Sequence, residues 1–220
     1  MMTMTTRNAA GAEPADTTAT LPAAPRAARV ARATTETRLD VSVDLDGTGK
    51  FKGGVGVPFF EHMLTLLARH SGMDLEVTGE GDIAIDAHHT VEDVGIAFGE
   101  AVKRALGDKA GLARYGEAYV PMEETLARAV IDLCNRPYFR LGGEVPKSKV
   151  GTFDAELGEE FFRAFAMNCG ATLHMDLLTP GGNVHHQLEA LFKALGRALG
   201  KAAARDPRVT GPLSTKGTLA

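Results

Sequence analysis

The chain has 220 residues, 44% of them hydrophobic and 24% charged, and a formal net charge of −4. That is enough chain to bury a real core in one large domain or two small ones. The acidic balance gives no electrostatic reason to expect nucleic acid or an anionic membrane as partner, and no apolar run of about eighteen residues points to a transmembrane helix.

Residues 1–31 are rich in Ala, Thr, Pro and Arg and poor in bulky apolar side chains. They are expected to form a disordered N-terminal extension. The stretch lacks the continuous apolar segment of a secretory signal, and Glu13, Asp16 and the missing amphipathic pattern argue against a transit peptide. From Thr35 onward, Leu39, Val41, Val43 and Leu45 alternate with polar residues, as in a half-buried strand. "DGTGK" closes it as a turn and "FKGGVGV" follows as a second strand. "PFFEHMLTLLARHSG" predicts a helix, with Pro58 in its first turn, Phe60, Met63, Leu64 and Leu67 on one face, and Gly72 as its stop. "DLEVTGEGDIAID" supplies strand material. A helix then opens at His88-His89 and buries Val91, Val94, Phe98, Ala101, Ala105 and Leu106.

The second half repeats this order. "ETLARAVIDLCNRPYFRLGGEV" gives two strands, "ELGEEFFRAFAMNCG" a helix ending at Gly170, and "ATLHMDLLTPGG" a strand. "HHQLEALFKALGRALGK" is the last helix, with Leu188, Leu191, Phe192, Leu195 and Leu199 on its apolar stripe. The double histidines stand at 88 and 185 and their glutamates at 92 and 189, both 97 positions apart. This is the mark of a duplicated β-β-α-β-α unit. The halves are expected at 32–118 and 119–220, forming one domain overall. Each sheet should carry its helices on one face, so the class is α+β. Cys134 and Cys169 form no disulfide framework and read as buried thiols of a reducing cytosol.

Residues four apart share a helix face, so His88 pairs with Glu92 and His185 with Glu189. Adjacent histidines diverge by about 100°, which suits two ions, or two sides of one cleft, better than one ion. Imidazole nitrogen with carboxylate oxygen fits a borderline divalent metal such as Mn, Fe, Co or Zn. The motif sits at the positive end of the helix dipole, so the glutamate must neutralise a bound cation. His62 and His174 extend the donor set, although they do not correspond by repeat position. Either one alone would more often be a satisfied, partly buried histidine. His70 reads as a helix C-terminal partner and is left out. Six histidines and two carboxylates would serve two ions, three histidines and one carboxylate each, with open positions for a substrate.

At these residues the chain resembles the imidazoleglycerol-phosphate dehydratases of histidine biosynthesis. "GTGKFKGGVGVPFFEHML", "IDAHHTVEDVGIAFGEA", "FFRAFAMNCGATLHM", "HHQLEALFKALGRAL" and "LSTKGTL" carry the resemblance, which runs from about Arg32 to the C-terminus. It implies a Mn2+-dependent lyase with two ions per site, converting imidazole glycerol phosphate to imidazole acetol phosphate in the cytoplasm. It also implies a fold related to the second domain of ribosomal protein S5, and a homo-oligomer of 24 subunits with sites built between them. Carried over, the metal ligands are His62, His88, His89, Glu92, His174, His185, His186 and Glu189. Glu36 is the substrate-binding glutamate and a candidate for positioning or proton transfer, with Glu92 and Glu189 the other acidic groups of the catalytic set. Arg114, Arg136, Ser214 and Lys216 take the phosphate. The chain departs from the family pattern at Glu61, Ala87 and Gly182, where an aspartate, an acidic residue and a basic residue are usual. Two alternatives stand beside the dehydratase: a binuclear metallohydrolase of a phosphorylated metabolite, and a non-catalytic metal-binding assembly protein. Arg114, Arg136 and the Ser-Thr-Lys-Gly loop speak against the second.

Overall fold

A computed structural model describes residues 25–219. The first half runs β1 (Ala27–Ala33), β2 (Thr37–Asp44), β3 (Phe51–Gly54), α1 (Pro58–Ser71), β4 (Asp74–Gly81) and α2 (His88–Leu106). The second runs β5 (Tyr115–Met122), β6 (Thr125–Asp132), β7 (Tyr138–Gly142), a small hairpin of β8 (Lys149–Val150) and β9 (Phe153–Asp154), α3 (Leu157–Cys169), β10 (Thr172–Thr179) and α4 (Val184–Ala203). The duplication is explicit in the topology. Strand orders are β1-β2-β4-β3 and β5-β6-β10-β7, and in both sheets two antiparallel pairings are followed by one parallel pairing.

Each four-stranded sheet therefore has one strand more than the predicted unit, at the same edge, and the second repeat adds the small hairpin. The extension expected over 1–31 lies outside the described residues up to 24, but its last residues, from Ala27, belong to β1. The boundary expected at 118/119 falls inside β5, so the halves meet in the connection before Tyr115. Both edge strands hide small inward residues instead of the bulky ones that announce a strand. In β1 only Val30 is fully buried. In β5 the inward positions are Gly116, Ala118 and Val120. Gly116 is required by the packing: a Cβ there would lie 2.0 Å from the Ala198 carbonyl oxygen, because α4 lies directly on β5.

Helix α2 packs on β1, β2 and β4, and α4 on β5, β6 and β10. The helices pair as α1 with α4 and α2 with α3, which sandwiches them between the two sheets. Phe60, Phe98, Phe161, Phe165 and Phe192 are fully buried where they meet. The predicted stops hold: Gly72 and Gly170 take left-handed conformations at the ends of α1 and α3. The outer sheet faces stay uncovered. The first carries ion pairs such as Arg29–Asp40 and Lys52–Glu76, and the second exposes Tyr115, Tyr119 and Tyr138. Among the described residues no helix is long and apolar enough to cross a membrane.

Candidate active site

The pairing of α1 with α4 brings one first-half histidine to the second-half motif. His62 lies in the second turn of α1, while His185 and Glu189 are one turn apart at the start of α4. His62 Nε2 is 3.4 Å and His185 Nε2 is 3.2 Å from Glu189 Oε2. Phe59 packs its ring against both imidazoles. A six-coordinate ion with bonds of about 2.1 Å has adjacent ligand atoms about 3.0 Å apart, so these donors are spaced as neighbours on one cation would be. Glu189 has only 10% of its side chain exposed, and Lys193 holds its other oxygen. Burial opposes ionisation of Glu189, but Lys193, His185 and His62 outweigh it and hold the carboxyl below its usual range.

The second histidine of each motif is held through Nδ1. His186 Nδ1 lies 3.0 Å from Glu124 Oε2, on the β5–β6 turn, and the other oxygen of Glu124 accepts from Asn183 N at 3.2 Å. His89 Nδ1 lies 2.9 Å from Asp82 Oδ2 and 3.7 Å from Glu36 Oε2. A carboxylate at Nδ1 favours the proton there and leaves the Nε2 lone pair free for an electrophile. The hydrogen bond to Asp82 raises the His89 pKa, and that to His186 lowers the Glu124 pKa. Glu36 and Asp82 share the wall of an open cavity of about 450 Å³ with Thr34, Arg38 and Glu80.

The expected ligands are thus only partly gathered within one chain. Among the described residues, His62, His185 and Glu189 form one group able to hold a metal, and His186 joins Glu123 and Glu124 in another. His88 turns edge-on to His89, with ring centroids 5.8 Å apart, and Glu92 is half-buried one turn further along α2. His174 stands on the uncovered face of β10, 5.4 Å from the Tyr138 ring. The separation follows from the packing, since the two double histidines open helices that contact different partners.

The phosphate candidates, by contrast, line one open cavity of about 720 Å³: Arg114, Arg136, Ser214 and Lys216, together with Arg208. Arg114 is buried and has φ 67°. Its Nε and Nη2 donate to Asp132 at 2.7 and 2.9 Å, and its Nη1 donates to the Leu213 carbonyl. Three of its five N–H donors are engaged by the protein, which braces the Ser214–Gly217 turn and leaves two at the pocket wall. Arg136 is 63% exposed, with Asp132 at 3.7 Å, and Lys216 makes no ion pair among the described residues. Arg208 is forked onto Asp206.

Of the departures from the family pattern, Glu61 has a local role and the other two have no structural explanation. Glu61 Oε1 accepts from Val55 N and Gly56 N at 2.7 and 2.8 Å, tying down the loop before α1. Beside Ala87, Asp86 Oδ1 accepts from His88 N at 2.8 Å. Gly182 borders open space.

Comparison with known proteins agrees with this geometry. The imidazoleglycerol-phosphate dehydratase family profile matches residues 55–199. A dehydratase of that name from Pelobacter propionicus is 55% identical over 188 residues, 86% of this chain and 96% of the relative. One from Halorhodospira halophila is 57% identical over 189 residues, 86% and 95% of the two chains. The crystal structure of the Staphylococcus aureus enzyme superposes with a TM-score of 0.74 at 43% identity, covering 82% of this chain and 99% of the other. That from Pyrococcus furiosus gives 0.70 at 35% identity, covering 86% and 99%. With its duplicated sheets, histidine–carboxylate motifs and cationic loop pocket, the chain belongs to the imidazoleglycerol-phosphate dehydratase family, hydro-lyases of histidine biosynthesis.

Proposed function

We propose that this dehydratase is metal-dependent, using two Mn2+ ions per site held by His62, His88, His89, Glu92, His174, His185, His186 and Glu189. The observation that carries this reading is the convergence of His62 Nε2, His185 Nε2 and Glu189 Oε2 within 3.2–3.4 Å contacts on a poorly exposed carboxylate. When bound, the ions supply Lewis acidity that favours loss of the proton from the substrate's imidazole N–H. The choice of manganese rests on the family resemblance alone, because intrinsic affinity would favour zinc or copper.

The chain's own groups do the rest. Arg114, Arg136, Ser214 and Lys216 anchor the phosphate, and Arg114 also props their loop, so the reacting carbons are oriented from a distance. Removal of a carbon-bound proton and protonation of the departing hydroxyl are acid–base steps, and Glu36 is our choice for one of them. The hydroxyl leaves as water, and the enol left behind becomes the ketone of imidazole acetol phosphate.

Because three of the eight ligands meet in one chain, we place the remainder of each site between copies, in a cytoplasmic homo-oligomer of 24 subunits. The exposed tyrosines on the sheet that carries His174, Tyr138 beside it, suit a face covered by another copy. Metal analysis of protein purified without chelator, combined with its mass in solution, tests both parts. Bound manganese in a large closed assembly is the expected result. A fully active monomer, or full activity with no metal bound, would contradict it.

A further inference from the structure

The duplication makes two glutamates equivalent that the chain uses differently. "ETRLDVSVDL" from Glu36 aligns with "ETLARAVIDL" from Glu124. Each glutamate ends the connection between the first two strands of its sheet, and each following threonine, Thr37 and Thr125, is buried. Each glutamate also faces the second histidine of its own half. Glu124 Oε2 makes full hydrogen-bond contact with His186 Nδ1 at 3.0 Å, whereas Glu36 Oε2 stays 3.7 Å from His89 Nδ1.

The difference is Asp82. Its Oδ2 takes His89 Nδ1 at 2.9 Å, and its other oxygen is buried without a hydrogen bond, so no rival donor draws it away. Ninety-seven positions on, the spacing of the double histidines, stands Thr179, which offers no carboxylate. A neutral imidazole has one N–H to donate. Glu124 accepts it in the second half and Asp82 in the first. Glu36 is left about half exposed, bordering the cavity of about 450 Å³.

We propose that Glu124 and Asp82 are the positioning residues of His186 and His89, and that Asp82, by holding His89 in place of Glu36, frees Glu36 to meet the substrate. The proposal rests on the reading of His89 and His186 as metal ligands. Each carboxylate fixes its ring so that Nε2 faces outward, and loss of such a partner typically weakens metal binding by about 10–100-fold.

The test is manganese titration of metal-stripped full-length protein, paired with kcat and KM for imidazole glycerol phosphate. Glu124→Ala should weaken manganese about 10–100-fold, with partial recovery in Glu124→Asp. Glu36→Ala should bind manganese as the parent does and lose kcat. Asp82→Thr, which copies the second half, should weaken manganese less than Glu124→Ala, because Glu36 closes onto His89, and should lower kcat as Glu36 is withdrawn. The double variant Asp82→Thr/Glu36→Ala should fall to the affinity of Glu124→Ala. Parental affinity in Glu124→Ala, weakened affinity in Glu36→Ala, or a double variant no weaker than Asp82→Thr would overturn the proposal. His89→Ala and His186→Ala probe the ligand reading separately: parental affinity in both would remove that premise.

Discussion

Replacing Arg114 with alanine separates the two roles of one side chain. Its fork onto Asp132 is largely buried, with 9% and 16% of the two side chains exposed. Removing one partner of a buried ion pair costs about 3–5 kcal/mol. Here Asp132 keeps Arg136 at 3.7 Å and some access to water, which places the loss near the bottom of that range, about 3 kcal/mol. The φ of 67° does not change this figure, since arginine and alanine both bear a Cβ in the left-handed region. The hydrogen bond from Nη1 to the Leu213 carbonyl acts elsewhere, on the loop that presents Ser214 and Lys216. A hydrogen bond from a charged donor is worth about 1.5–3 kcal/mol. Losing it should therefore raise KM for the phosphorylated substrate about tenfold or more, with a smaller effect on kcat. Arg114→Lys keeps the charge but not the fork and should fall between. Urea unfolding at unchanged m-value reads the first effect and steady-state kinetics the second. An Arg114→Ala protein that unfolds at the parental urea concentration refutes the ion-pair reasoning. A destabilised variant with parental KM refutes the tether.

Two other substitutions or modifications follow from packing. Gly116→Ala drives a methyl into the Ala198 carbonyl oxygen, 2.0 Å away. Helix α4 must shift, so the unfolding free energy should fall by about 1–3 kcal/mol; an unchanged midpoint would show that the helix has room. Burial pushes the Cys169 thiol from 9.0 up to about 12, so iodoacetamide at about pH 8 should modify its peptide only after unfolding, as read by mass spectrometry. The unfolded thiol ionises first as pH rises, so this contribution to stability is intact below the unfolded value of 9.0 and is lost as pH climbs toward about 12. Rapid labelling of native protein, or a flat unfolding midpoint across that window, would contradict the burial.

The helices are legible in the sequence because their apolar positions repeat with the helical period and their stops are glycines, Gly72 and Gly170. The double histidines are legible because they recur at one offset. The edge strands β1 and β5 are not, because their inward residues, Val30, Gly116, Ala118 and Val120, are few or small. No local pattern links Glu124 to His186, 62 positions away; the signal in the sequence is its repeat equivalence to Glu36. Asp82, seven residues before His89, lies in a loop with no periodicity to read. Lys193 is within reach of sequence reasoning, since it stands one helical turn from Glu189. For Arg114 the sequence points to the pocket that it lines, and the structure adds a second role as a brace. The sequence places a cation there, and the bonds to Asp132 and Leu213 that engage three of its five donors span 18 and 99 positions, too far for a local pattern.

The most direct measurement is turnover of imidazole glycerol phosphate by metal-stripped protein as Mn2+ is added back. Activity should rise with manganese, yield imidazole acetol phosphate without inorganic phosphate, and collapse in His62→Ala and His185→Ala. Absence of turnover at every manganese concentration, or release of phosphate as the product, would contradict the metal-dependent dehydration.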